Sequence, residues 1–425
     1  MNPLKILIVS RTPWNNSNSF GNTFTNLFGG MKGVEIYNVC CQGGVPDNDI
    51  VVRTWQMTDK NVLKSFFSTT HVGQEVNSNA GMSVSEAPDA SYKFTRKRRT
   101  IFYLAREAFW KIGRWKNRGL DEFVKSIAPD LLYLPIYKSG YMCDVQEYII
   151  KLAGCPVVGH ITDDVYSYTA PFFKEPLNHL YTSRLRHKIR RLISRCAYLE
   201  VFAKKMVDEY SATFGKSVFL IGKGISAEAL KPNTYWKPDG VTTFVFTGNY
   251  GGERGSQLLT LAEQIKASYE PGKAVLDIYS PSSPDIELDK RLEATGCVRL
   301  RGGLKFDALT KVQREADVLV HVEGFSTSSI AQTRLSFSTK LIDYMVAQRP
   351  ILAIGPSCIN SIEVLRDNHL ALVASSGSEV KDCIDELQSV DFNPLSLISR
   401  TTDYLKAERL ITHIQREIYG RLSSL

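Results

Sequence analysis

Phe244-Val245-Phe246-Thr247-Gly248-Asn249-Tyr250-Gly251-Gly252-Glu253-Arg254-Gly255 is an apolar run that breaks into glycines, and residues 256–267 continue it at helical period. A strand that stops at a glycine turn and restarts as a helix is the unit from which parallel sheets are built. The turn also brings unpaired backbone amides and the positive end of a helix to one point, which suits a phosphate group. Arg254 adds a full charge there, so Gly248 and Arg254 are candidate anion-binding residues. A turn of this kind can also serve only to pack backbone closely.

On either side, short apolar runs bounded by Gly, Pro or Asp alternate with longer stretches at helical period. Strands are expected at residues 5–10, 131–134, 156–160, 198–202 and 218–221. A second series follows the Pro- and Gly-bearing segment 231–240, at residues 243–247, 274–279, 298–301, 317–322 and 350–354. The alternation predicts an α/β chain with two doubly wound domains, 1–225 and 226–401, divided near Gly222-Lys223-Gly224. The C-terminal segment 402–425, read as one helix from about residue 402 to 421, is expected to pack back on the first domain. A length of 425 residues with 43% hydrophobic and 23% charged residues leaves each domain a full core and excludes a disordered or fibrous chain.

The second chemical segment is residues 333–352. Ser336, Ser338 and Thr339 are helix-capping types ahead of Lys340-Leu341-Ile342-Asp343, and their hydroxyls and amides can bind phosphate oxygens. Asp343 falls one turn after Thr339 on the same face, where a carboxylate can accept hydrogen bonds from a ribose diol. An ordinary capped helix with a solvated Asp is the competing reading.

These segments resemble retaining glycosyltransferases of the GT-B fold, in particular the large family 4. Residues 248–255 resemble its Gly-rich turn ending in Glu-Lys-Gly, and 298–302 its strand and glycine beside the nucleotide base. Residues 316–320 resemble its Ala-Asp-Val strand, and 338–352 its Ser-Lys-Leu helix. In the first half, residues 5–11 with Gly21 resemble the first strand and acceptor-side glycine loop. Residues 156–164 resemble the strand-end histidine and acidic segment near the reaction centre.

The resemblance implies two Rossmann-like domains facing a central cleft and a UDP- or GDP-linked sugar donor as substrate, with no cofactor and no metal. The base would lie near Arg301 and Gly302, the ribose on Asp343, and the diphosphate among Gly248, Arg254, Ser338, Thr339 and Lys340. His160 and Asp163 would position the acceptor, a glycan or lipid-linked hydroxyl, probed first as a precursor of bacterial surface polysaccharide. A purely structural role for His160 stays open. Three positions depart from the family: its first diphosphate-binding arginine falls on Asn249, its helix glutamate on Asp343, and its catalytic-loop glutamate on Leu335. Glu323 is the substitute carboxylate. The departures leave open a catalytically weak GT-B subunit that binds a partner transferase, and a nucleotide-sugar epimerase on the same fold.

The opening apolar run, Ile6 to Val9, is too short for a signal peptide, and the eight cysteines show no metal-binding spacing. A cytoplasmic protein with reduced thiols is expected. The formal charge of +8 is compatible with an acidic partner without identifying it, and no nucleic-acid module accompanies it. Residues 96–118 carry nine Lys or Arg against one acid, and Ile101, Ala105, Ala108, Ile112 and Trp115 share one helical face. Either that face packs on the core, or it rests on anionic lipid and makes the protein peripheral at the inner membrane face. A second basic run lies at 184–195. Residues 71–91, rich in Ser, Asn and Gly, read as a mobile surface loop.

Overall fold

The computed structural model describes residues 3–16, 18–67, 72–77, 96–169, 173–230, 240–281, 285–304 and 306–425. The chain divides into two compact units: residues 1–223 with 411–425, and residues 224–410.

In the first unit the order is β1 (Leu4–Ser10), α1 (Ser19–Phe28), β2 (Val34–Cys40), β3 (Val51–Gln56), α2 (Asp59–Lys64), β4 (Gln74–Val76), α3 (Arg96–Ile112) and α4 (Arg118–Ile127). It continues through β5 (Leu131–Pro135), α5 (Gly140–Ala153), β6 (Val157–Ile161), α6 (Pro176–Arg195), β7 (Tyr198–Val201), α7 (Lys204–Phe214) and β8 (Val218–Leu220). The sheet runs β4-β3-β2-β1-β5-β6-β7-β8, parallel except for the β3–β4 pair. The second unit begins with β9 (Thr242–Thr247), α8 (Glu253–Ser268), β10 (Ala274–Tyr279), α9 (Ile286–Glu293), β11 (Val298–Leu300), α10 (Phe306–Glu315) and β12 (Val318–Val322). It ends with α11 (Thr327–Thr333), α12 (Lys340–Val346), β13 (Ile351–Ile354), α13 (Asn360–Asp367), β14 (Leu372–Ala374), α14 (Glu379–Gln388) and α15 (Pro394–Glu408), and α16 (Ile411–Ser423) returns to the first unit.

The second sheet is wholly parallel, in the order β11-β10-β9-β12-β13-β14. That order reverses direction between β9 and β12, and in doubly wound sheets ligands bind at the carboxyl ends of the strands beside such a reversal. Phe244, Phe246, Leu276, Ile278, Val318 and Val320 pack from the sheet against Leu258, Leu261 and Ile265 of α8, so the β9–α8 turn rests on a dense core.

Three sequence expectations change. Residues 34–40 form β2 although Asn38 interrupts their apolar run, because its amide donates to the Ile8 carbonyl (3.1 Å) and Ser10 Oγ (3.0 Å) inside the sheet. Within the segment read as a loop, Gln74–Val76 pairs with β3, while residues 78–95 lie outside the described residues, as do 231–239. The final helix is two helices. Ile225 N–H donates to the Arg409 carbonyl (2.7 Å) in a short parallel bridge that a continuous helix excludes, so residues 402–408 stay with the second unit.

Helix α16 is held to the first unit by its apolar face and by one ion pair. Ile414, Ile418 and Leu422 join the core of Phe24, Phe28 and Phe202, and Arg421 donates to Glu200 Oε1 at 2.9 and 3.1 Å. Glu200 is fully buried, and its other oxygen accepts from Tyr133 Oη at 2.6 Å. Removing one partner of a buried pair leaves an uncompensated charge. Arg421→Ala is therefore expected to lower the stability of the first unit by about 3 kcal/mol, read as a fall in its urea midpoint. Glu200→Gln in the same background should recover part of the loss, and an unchanged midpoint for Arg421→Ala contradicts the role of the pair.

Candidate functional site

Strand β9 ends at Thr247, and Gly248 turns the chain with φ +119°, a conformation that favours glycine. A Cβ at Gly248 would stand 3.6 Å from Lys340 Nζ. Asn249 closes the turn by accepting from Gly251 N–H at 2.7 Å, so the residue in place of the family arginine organises backbone. Gly252, also at positive φ, starts α8 with no side-chain cap, and Gly255 lets Leu288 approach to within 2.2 Å of where a Cβ would sit.

The first turn of α8 is tied to the loop after β12. Arg254 donates from Nε and Nη2 to Glu323 Oε2 at 3.2 and 2.9 Å, and Glu253 accepts from Ser326 N–H at 2.7 Å. Glu323 Oε1 lies 3.4 Å from Nε2 of the buried His321. His321 and Glu323 are two residues apart on extended chain and therefore project to one side. Reading that spacing would have found His321, which composition alone did not single out.

Lys340 opens α12 and completes the cluster. Its ammonium donates to the Thr247 carbonyl at 3.2 Å and lies 4.4 and 5.9 Å from the Phe246 and Tyr344 ring centroids. Lys340 is partly buried. Burial first, and then the nearby Arg254 charge, bring Lys340 down to about 7, with Glu323 opposing the shift. Burial, followed by Lys340 and Arg254, drives His321 well below the ordinary imidazole range. Tyr344 Oη holds the end of β9 through Thr247 N–H (3.1 Å), and Gln313 donates to Thr247 Oγ1 (3.2 Å).

Other expected donor residues are placed differently. Thr339 is already helical and makes no capping bond, and the Ser338 N–H is taken by Ser361 Oγ at 2.9 Å. The Ser338 amide thus already has a partner from α13. Asp343 lies partly buried in the first turn of α12. Arg301 donates to Asp277 Oδ1 at 3.0 Å, and Arg299 grips both oxygens of the same carboxylate at 2.7 and 2.6 Å. Gly302 follows at φ +71°. Leu335, the position of the family's catalytic-loop glutamate, is buried and apolar.

In the first unit, Gly21 is in the first turn of α1 rather than in a loop. A Cβ there would fall 2.0 Å from the Asn15 carbonyl oxygen, so this glycine permits close backbone approach. His160 is 2% exposed, set among Phe24, Tyr133 and Phe202, with Nδ1 3.0 Å from Tyr133 Oη. Burial lowers it to about 3, so the ring is neutral. Asp163 is exposed just beyond β6, and the buried Asp164 fixes its turn by accepting from Tyr166 and Ser167 N–H and from Tyr210 Oη.

The sequence matches no family model and no curated protein. Solved structures do resemble the whole chain. The Anabaena protein HepE in complex with UDP and glucose is similar at a TM-score of 0.63 and 10% identity, over 99% of this chain and 100% of that one. The α,α-trehalose 6-phosphate synthase of Burkholderia multivorans gives 0.61 and 10%, over 100% and 99%. An E. coli trehalose-6-phosphate protein bound with UDP-2-fluoro glucose gives 0.64 and 11%, over 99% of both. These likenesses establish the α/β fold of two Rossmann-like units that GT-B proteins share.

The cluster sets two cations beside one carboxylate, and its charge depends on pH through Lys340. Because the free Lys340 titrates near 7 and an anion favours its charged form, binding above that pH requires proton uptake. Sulfate affinity is expected to fall as pH rises from 6 to 9, by up to about tenfold per unit above 7. Lys340→Arg, charged throughout, should flatten the profile. A profile that is flat in the wild type contradicts the assignment.

Proposed function

We propose that the chain is a retaining glycosyltransferase that moves a sugar from a nucleotide-diphosphate donor to a hydroxyl of a glycan or lipid-linked acceptor. The observation that carries this reading is the convergence of Gly248, Arg254 and Lys340 at the carboxyl ends of β9 and β12, where the second sheet reverses. Two cations and a glycine turn in one place fit a diphosphate better than a single phosphate ester. The likeness in fold to proteins bound to UDP and to a UDP-sugar supports the same reading.

In this account Arg254 and Lys340 stabilise the charge that develops on the diphosphate as the glycosidic bond breaks. Preset cations of this kind do the work that a bound metal does elsewhere, and the reaction is assigned to them alone. Asp343 takes the ribose diol, and Arg301 with Gly302 borders the base. Retention implies attack by the acceptor hydroxyl from the face the diphosphate leaves. On the acceptor side the exposed Asp163 is the residue that can reach a substrate, and His160 supports β6 from within the core. Glu323 is assigned as the resident counter-ion of Arg254 before the donor arrives.

The acceptor class to examine first is a precursor of bacterial surface polysaccharide, handled on the cytoplasmic side of the membrane. A second reading, a subunit that binds nucleotide for a partner transferase without turnover, is favoured by the apolar burial of Leu335. It predicts tight nucleotide binding without transfer to any acceptor.

The binding experiment is titration of UDP and GDP in the presence of EDTA. Wild type should bind one of them, and Arg254→Ala should weaken it about 10- to 100-fold, the equivalent of about 1.5 to 3 kcal/mol for a charge-assisted hydrogen bond. Equal affinity in a folded Arg254→Ala variant, or binding that appears only on adding manganese, contradicts the assignment.

A further inference from the structure

Helix α3 sits in the first unit the wrong way round for a soluble protein. Its core side is Tyr103, Arg106 and Trp110, with Arg106 on Asp59 (2.8 Å) and stacked 4.8 Å from Tyr141, and Trp110 hydrogen-bonded to Asp59 at 2.7 Å. The opposite side, Ile101, Ala105, Ala108 and Ile112 at spacings of four, three and four, faces outward. Ile101 is 51% and Ile112 72% exposed. The apolar face expected either on the core or on lipid is therefore not on the core, and only Trp115, beyond the helix end, is buried.

The outward face extends over neighbouring elements. Toward the N-terminal end of α3, Tyr103 stacks on Tyr181 of α6 at 6.2 Å, and Phe102 on α3 and Leu177 and Leu180 on α6 are exposed. At the C-terminal end, Gly113 abuts Val62 and Arg114 N–H donates to Ser65 Oγ at 3.3 Å. That contact sets the end of α2, with exposed Leu63, Phe66 and Phe67, the last 92% exposed, against the C-terminal end of α3. From Ile101 to Ile112 the outward face runs about 17 Å at 1.5 Å per residue. An exposed apolar strip on this scale marks an interaction site.

The charge around the strip selects the occupant. Lys60 and Lys64 on α2, Lys111 on α3 and Arg114 just beyond the end of α3 are exposed. Of the nearby carboxylates, Asp59 is taken by Arg106 and Trp110, Glu107 accepts from the Gly140 N–H at 2.8 Å, and the partly exposed Glu175 at the start of α6 accepts from Asn178 Nδ2 at 2.7 Å. What remains outside is apolar and cationic, which fits an anionic lipid surface. Among the described residues no helix is long and apolar enough to cross a membrane, so this face would lie on the bilayer.

We propose that the strip formed by α3, the end of α2 and the start of α6 docks the first unit on an anionic bilayer, with Ile101 and Ile112 entering the headgroup region. This inference is independent of the donor site. The test is co-sedimentation with vesicles of phosphatidylglycerol and phosphatidylcholine, and with phosphatidylcholine alone. Wild type should sediment with the anionic vesicles at low salt, be released as salt rises, and stay in solution with phosphatidylcholine. The double variant Ile101→Ser, Ile112→Ser should lose at least about tenfold in partitioning, with its melting temperature and self-association unchanged. A wild type that stays in solution with anionic vesicles overturns the proposal, as does a double variant that sediments like wild type. A wild-type dimer that the double variant converts to monomer assigns the face to a second copy and overturns it as well.

Discussion

An ammonium enclosed beside a guanidinium raises the energy of a folded chain unless an anion joins them. In this protein Lys340 and Arg254 are held in that relation by the parallel sheet, which ends β9 at Gly248 and sets α12 across its mouth. The strain shows in Lys340, brought down to about 7, and in Glu323, recruited from the end of β12 to neutralise Arg254. Much of the local design follows from that pairing. Glu253 fastens the Glu323 loop to α8, Tyr344 and Gln313 hold Thr247, and His321 stays neutral beneath the carboxylate.

Such a cluster is poised rather than satisfied. Glu323 supplies one negative charge to two cations, so a more highly charged anion gains by replacing it at Arg254, and the same anion restores the proton of Lys340. This gives a physical reason for a phosphate-bearing ligand at the site that does not depend on sequence resemblance. It also gives a reason for the Glu323 carboxylate at Arg254.

The sequence showed the fold well where local period and burial agree. Strands such as β9 and β12 are continuous apolar runs because both faces of their sheet are covered. It concealed β2, where Asn38 is satisfied by Ile8 and Ser10, partners 28 to 30 residues away. The break between α15 and α16 was hidden for the same reason, since Ile225, far along the chain, claims the Arg409 carbonyl. The meeting of Gly248, Arg254 and Lys340 was legible because a glycine turn after a strand and the starts of the following helices fall at the same edge of a doubly wound sheet. The burial of His160 and the pairing of Arg301 with Asp277 were not, because both depend on side chains from other elements. Helix α3 shows the limit of periodicity, which finds two faces but not which one the fold buries.

The central claim, that the Arg254–Lys340 pair is the diphosphate site of a sugar-nucleotide donor, is tested most directly by a crystal structure of the protein soaked with UDP or GDP. The account predicts diphosphate oxygens at about 3 Å from the Arg254 guanidinium and the Lys340 ammonium, with the Glu323 carboxylate moved off Arg254. A nucleotide bound elsewhere, with Glu323 still seated on Arg254, would contradict it.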